Sequence, residues 1–357
     1  MGLHWGAASL KEVLPQHLWD RIQSVQVDPN NPTAPKDSLN FYNAQTEELM
    51  ASIPVNYFYR LRRRKLRGLM EDDLNVCYGK RLCGVEYASD GSLATATFED
   101  GTSMSAQLVV GTDGARSTLR KTLLGPENGS LRELPYCATF VQARYSADQA
   151  RFLRTLHPLY FAGINPANYF SFFGMQNVED PDRPETWTFF FYISWYLSPE
   201  EQERTANWTN AQRLRQAKEA AQLFTNPWKS AFDWLDDDHP VWYMKLSDYD
   251  PSAPNHRWDN HDGRATLAGD AAHAMTFQRG QGLNHSLTDA GNLVRAIKDF
   301  TSGKSSRADA ISAYEQEMIG RAGGEVRLSS LNTEMMHNWQ KVQESPIMQT
   351  GMKRFQQ

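Results

Sequence analysis

Two segments far apart in the chain share one order of parts: a short apolar run, a glycine with an aspartate close behind, a loop and a helix. The first is Val110-Gly111-Thr112-Asp113-Gly114-Ala115-Arg116-Ser117-Thr118-Leu119-Arg120. The second runs from Leu267-Ala268-Gly269-Asp270 through Arg279-Gly280-Gln281-Gly282-Leu283-Asn284 to Asp289-Ala290. A strand that ends on glycine and a carboxylate and feeds a helix is the building unit of parallel α/β sheets. In that position the carboxylate can accept hydrogen bonds from ribose or ribityl hydroxyls, and the glycines let a ligand approach the backbone. A helix starting at Asn284 aims unpaired amides and partial positive charge at an anion in front of it.

The remaining elements are coarser. Apolar residues between 10 and 22 fall near helical spacing, with no strand before them, and residues 57–70 read as a basic amphipathic helix. Strands are expected at 84–87, 93–98 and 105–111, and a helix at 117–124. Residues 131–250 are rich in aromatic and β-branched types, with strands near 140–145, 169–175, 187–195 and 241–246 and one helix over 199–223. Alternation puts only half of Tyr169, Phe170, Phe172, Phe173, Phe189, Phe190, Phe191 and Trp195 on either face. One face is expected to pack the core and the other to roof a pocket. A Pro-rich joint at 250–254 precedes a short strand at 265–268, a helix at 284–300 and a helical tail from Ser306, with Met335 and Met336 as packing residues.

Composition narrows the function classes. Lys and Arg total 37 against 42 Asp and Glu, a formal charge of −5, which argues against a dedicated nucleic-acid binder. The longest aromatic run, 187–197, is too short to span a bilayer, so no stable membrane span is expected. Three cysteines in no metal-ligand spacing suit a reducing, cytoplasmic setting, and the sequons at Asn128, Asn207 and Asn284 then read as chance matches. Asp236-Asp237-Asp238-His239 reads as solvated surface rather than a metal site, and His273 as a loop histidine satisfied by backbone bonds.

Taken together, the two segments resemble the DG and GD fingerprints of the para-hydroxybenzoate hydroxylase-like FAD monooxygenases, the flavin-dependent aromatic hydroxylases. Arg63-Arg64-Lys65-Leu66 resembles the family's Arg-x-x-Leu helix. The resemblance implies FAD as cofactor, with NAD(P)H as co-substrate. Asp270, after Gly269, would bind the ribityl chain; Gly280, Gly282, Leu283 and Asn284 would face the pyrimidine ring; Asp113 and Gly114 would touch the pyrophosphate region. Arg63, with Arg62 or Arg64 as alternatives, would reach the phosphates, so the basic run 60–67 is a solvated helix face. Phe277 stands where the family usually has proline.

The implied fold is α/β (α+β): an incomplete Rossmann-like FAD-binding domain with an inserted mixed β-sheet substrate domain and a C-terminal helical tail. Its parts are 1–130, first cofactor part; 131–250, substrate sheet; 251–300, second cofactor part; 301–357, tail. Residues 1–67 hold only Gly2 and Gly6, so the GxGxxG turn and opening βαβ unit of the family are expected to be missing. The implied activity is hydroxylation or epoxidation of a small aromatic, hydrophobic or polyketide-like molecule with O2. The alternatives are a cofactor-free descendant performing isomerisation, cyclisation or dehydration in secondary metabolism, and a binding protein for a hydrophobic ligand.

Overall fold

A seven-stranded sheet dominates the molecule, in the order Val241–Asp248, Arg132–Ala143, Thr188–Tyr196, Tyr169–Asn177, Tyr160–Asn165, Asp37–Asn43, Leu49–Val55. The computed structural model describes residues 1–72 and 74–352, so the last five residues of the tail lie outside the described part. Neighbouring strands are antiparallel except Tyr160–Asn165 and Asp37–Asn43, which run parallel and make the sheet mixed. Residues 37–55 carried no strand expectation and lay in the segment read as cofactor domain; here they extend the aromatic sheet. Their signal is weak because only Leu39 and Phe41 alternate inward among polar neighbours, and the next strand comes from residues 160–165.

The aromatic strands divide their faces as alternation requires. Phe161, Phe173, Phe189 and Phe191 are buried on one face. There they meet Trp228 and Phe232 of the helix Trp228–Asp233, with Phe161–Trp228 centroids 5.1 Å apart and Phe191–Phe232 5.0 Å apart. Each such ring contributes roughly 1.5–3 kcal/mol by leaving water. The other face carries Phe140, Phe170, Phe172, Phe190, Tyr192 and Trp242. It turns to Phe277, whose ring stands 5.0 Å from Tyr192 at 82° and 5.4 Å from Phe140.

Beside the sheet lies a smaller α/β layer. Val109–Gly111 and Ala265–Leu267 form a parallel pair, while Leu82–Tyr87, Ala94–Phe98 and Ser103–Ala106 form an antiparallel meander. The run expected as one strand over 105–111 is therefore two, because its halves pair in different sheets. The helix Arg307–Met336 joins the layers: Ile311 and Met318 pack on Leu267 and Leu119, and Met336 lies in the core of the large sheet.

Three further expectations are corrected. The helix over 199–223 is two, Pro199–Arg204 and Asn210–Ala221, each opened by its own capping box, Ser198 with Glu201 and Thr209 with Gln212. The helix over 10–22 is also split, into Ala7–Val13 and Gln16–Trp19, around Pro15, which has no N–H to continue the ladder. Gly2–Leu3 is a strand where none was expected. It pairs with Tyr59–Arg60, which delays the basic helix to Arg63–Glu71.

Candidate active site

The DG and GD segments leave the carboxyl ends of two adjacent parallel strands, with Gly111 opposite Leu267. In open α/β sheets that end is where ligands bind. The buried Arg120 locks the two turns together: Nη1 donates to the Ala271 carbonyl at 2.7 Å, Nε to Gly129 at 2.9 Å and Nη2 to Ala115 at 2.5 Å. Asp113 is exposed, but its carboxylate serves its own helix, accepting from Ser117 Oγ at 2.5 Å and from the amides of Thr118 at 2.6 Å and Leu119 at 3.3 Å. Gly114 follows in a tight turn.

Gly269 has φ +62°, a left-handed conformation that a side chain would strain, and a Cβ would also meet Ser286 Oγ at 3.0 Å. Asp270 is exposed at the start of the short helix Asp270–His273. Ahead of it begins the helix Gly282–Thr301, which has no side-chain cap. Asp270 Oδ1 lies 3.7 Å from where a Cβ of Gly282 would stand. A carboxylate thus stands beside the first turn of this helix.

Leu283 and Asn284 are placed against the first residues of the chain. Leu283 packs beside Leu3 and Leu10. Asn284 is fully buried; its Oδ1 accepts from the amides of His4 at 3.0 Å and Gly6 at 3.2 Å, and its Nδ2 donates to the carbonyls of Gly2 and Gly280 at 3.3 Å each. Arg63 stands elsewhere, exposed at the first turn of Arg63–Glu71, between a half-buried Arg62 and an exposed Arg64. That helix also lacks a side-chain cap and any first-turn acid.

A cleft of about 1170 Å³ opens next to the GD loop, lined among others by His4, Trp5, Trp19, Tyr57, Tyr59 and Arg279. Trp5 Nε1 donates to Gln281 Oε1 at 2.9 Å, which ties the cleft wall to the residue before Gly282. His4 Nε2 is buried without a partner. Burial, helped by the positive charge of Arg279, lowers the His4 pKa to about 4, so the imidazole is neutral near pH 7.

The sequence reading missed a buried ionic chain behind this opening. His273 Nε2 lies 2.6 Å from Asp289 Oδ2, so its partner is a carboxylate rather than the backbone. Asp289 also accepts from the Gly269 amide at 2.8 Å and from Arg321 Nη2 at 2.6 Å. Arg321 Nη1 contacts His285 Nδ1 at 2.8 Å, and Arg279 Nε donates to Glu325 Oε1 at 2.9 Å. Since arginine only donates, Nδ1 of His285 must accept, which fixes its tautomer when neutral. The available signal was spacing: His285 with Asp289 and Arg321 with Glu325 are four apart on their helices, on one face each. Asp236, Asp237 and Asp238 are exposed, with Asp237 2.9 Å from Lys218 Nζ.

The family model described as FAD binding domain matches residues 67–328. The chain is 33% identical over 353 residues to the FAD-dependent monooxygenase cctM of Talaromyces islandicus, covering 99% of this chain and 86% of that protein. It belongs to the FAD-dependent monooxygenase family. To the FAD-dependent monooxygenase phnB of Penicillium herquei it is also 33% identical, over 98% of this chain and 84% of that protein. Klebsiella pneumoniae HpxO, solved in complex with FAD and uric acid, shares the fold with TM-score 0.74 at 18% identity, over 99% of this chain and 86% of that one. The monooxygenase site fits its cofactor: the uncapped start of Gly282–Thr301, a carboxylate beside glycines and an unpaired buried imidazole in an aromatic cleft suit a ligand with a polyol and a flat polar ring.

Proposed function

We propose that this monooxygenase uses NAD(P)H and O2 to hydroxylate or epoxidise a small aromatic or polyketide-like molecule in cytoplasmic secondary metabolism. The observation that carries the reading is the uncapped start of Gly282–Thr301, with Asp270 before it and the aromatic cleft beside it. Bound FAD supplies the redox chemistry, taking electrons from NAD(P)H and activating O2 so that one oxygen atom enters the substrate. Segments 1–130 and 251–300 hold the cofactor, and 131–250, extended by strands 37–43 and 49–55, faces the substrate.

Asp270 would accept hydrogen bonds from the ribityl hydroxyls, Gly269 gives the turn its shape, and Arg63, Asp113 and Gly114 would hold the diphosphate. The backbone at Gly280, Gly282, Leu283 and Asn284 sets amides and the helix dipole against the pyrimidine edge, a fixed field that favours negative charge there. Asn284 acts through its backbone, because its side chain is occupied by residues 2–6. Trp5, Trp19 and Tyr59 keep water from the cleft, and neutral His4 can accept a hydrogen bond from a ligand hydroxyl. The test is oxygen incorporation: with FAD and NAD(P)H present, isotopically labelled O2 should place one labelled atom in an aromatic substrate. Product formed without O2 and NAD(P)H would return the protein to a non-redox reading.

A further inference from the structure

Arg60 is the second residue of the strand Tyr59–Arg60, whose successive side chains point to opposite sides. Tyr59 lines the cleft. Arg60 turns the other way, onto the aromatic face of the large sheet. Its guanidinium carbon lies 5.0 Å from the ring centre of Phe172, and its Nη2 would be 3.2 Å from a Cβ built on Gly174.

This arginine is only 8% exposed, and its Nε is buried with no hydrogen-bond partner. Among the described residues no carboxylate reaches ion-pair distance of it, and its side chain makes no hydrogen bond. The side chain of every other buried arginine has at least one acceptor: Arg120 has three carbonyls, Arg213 the Thr205 carbonyl, Arg264 the carbonyls of His261 and Ala88, Arg279 has Glu325, and Arg321 has Asp289 and Glu317. The Tyr160 phenol, near Arg60, already donates its proton to Asp37 Oδ2 at 2.8 Å. A charge buried without a counter-ion opposes folding, so a fold that keeps one leaves an anion to be supplied from outside.

We propose that Arg60 receives the carboxylate of the aromatic substrate, so that the preferred substrates are aromatic carboxylic acids. The inference rests on the monooxygenase reading and adds the substrate class to it. The planar fork of donors suits a two-oxygen anion, and the Phe172 ring holds the guanidinium plane while its edges stay available. Burial lowers the Arg60 pKa only to about 10, so the charge is present at neutral pH. The cofactor diphosphate is the competing anion, but Arg63, Asp113 and Gly114 would hold that group.

The test titrates the FAD-supplemented protein calorimetrically with salicylate, hydroxynaphthoate and anthraquinone carboxylate, and with the methyl ester of each. At least one acid should bind roughly 10- to 100-fold more tightly than its ester. Arg60→Gln should erase that preference, Arg60→Lys should keep part of it, and FAD affinity should not change in either. Because the charge is uncompensated in the ligand-free protein, Arg60→Met should not lower the thermal midpoint, whereas a structural arginine would; this variant also replaces Gln if the latter fails to fold. Equal binding of all acids and esters by the native protein, or no binding of any acid, overturns the proposal. So does a preference that survives Arg60→Gln, and a loss of FAD affinity in that variant assigns the arginine to the diphosphate instead. A protein that takes up no flavin fails the monooxygenase reading before the titration begins, and the acid–ester comparison can still be made in it.

Discussion

Replacing Asn284 by alanine removes one buried side chain that holds four backbone groups. The amides of His4 and Gly6 lose their acceptor, and the carbonyls of Gly2 and Gly280 lose a donor. At about 1 kcal/mol net for each bond to the two amides, plus a further 1–3 kcal/mol where a buried donor stays unsatisfied, the loss is roughly 3–5 kcal/mol. Gly6→Ala attacks the same seam by packing, because its Cβ would stand 2.8 Å from the Asn284 Cα; such a clash costs about 1–3 kcal/mol. The assay is urea unfolding followed by tryptophan fluorescence and circular dichroism. Once either change has opened the seam the second has less to remove, so the double variant should lose at least about 1 kcal/mol less than the sum. Strict additivity, or a cost below about 0.5 kcal/mol for Asn284→Ala, would refute the seam.

Asp113→Ala should cost about 1 kcal/mol in urea, because the first amides of Thr118–Asn128, those of Thr118 and Leu119, lose their acceptor while Ser117 still caps the helix. Asp289→Asn, which unbalances His273 and Arg321 in a buried site, should cost roughly 3–5 kcal/mol and is measured in the same way. Burial holds the His337 pKa near 4 against an ordinary 6.5. The unfolded chain therefore binds the proton first, and about 3 kcal/mol of stability, complete above pH 6.5, should be lost as pH falls to about 4. Urea midpoints across that range should fall less steeply for His337→Gln.

What the sequence shows well is local. The glycines and aspartates of the two turns, the strands that feed them and the helix after Gly282 are all readable because each is fixed by its neighbours in the chain. Long-range pairing is not readable in the same way. Residues 37–43 are a strand because residues 160–165 lie beside them, and 105–111 divides because two sheets claim its halves. Asn284 illustrates the same limit in the site: its type and place at a helix start were visible, while three of its four partners sit some 280 residues away. The helix break near 205–209 was visible in principle, since Ser198 with Glu201 and Thr209 with Gln212 each spell a capping box. Arg60 escaped notice inside a basic run, where nothing local separates a buried arginine from its solvated neighbours.

The most direct test of the account is FAD binding by the purified protein and by Asp270→Ala, followed by flavin fluorescence. The native chain should take up FAD saturably and turn yellow, and the variant, without the acceptor for the ribityl hydroxyls, should bind roughly tenfold more weakly or worse. Absence of saturable binding, or equal affinity in the two proteins, would contradict the site described here.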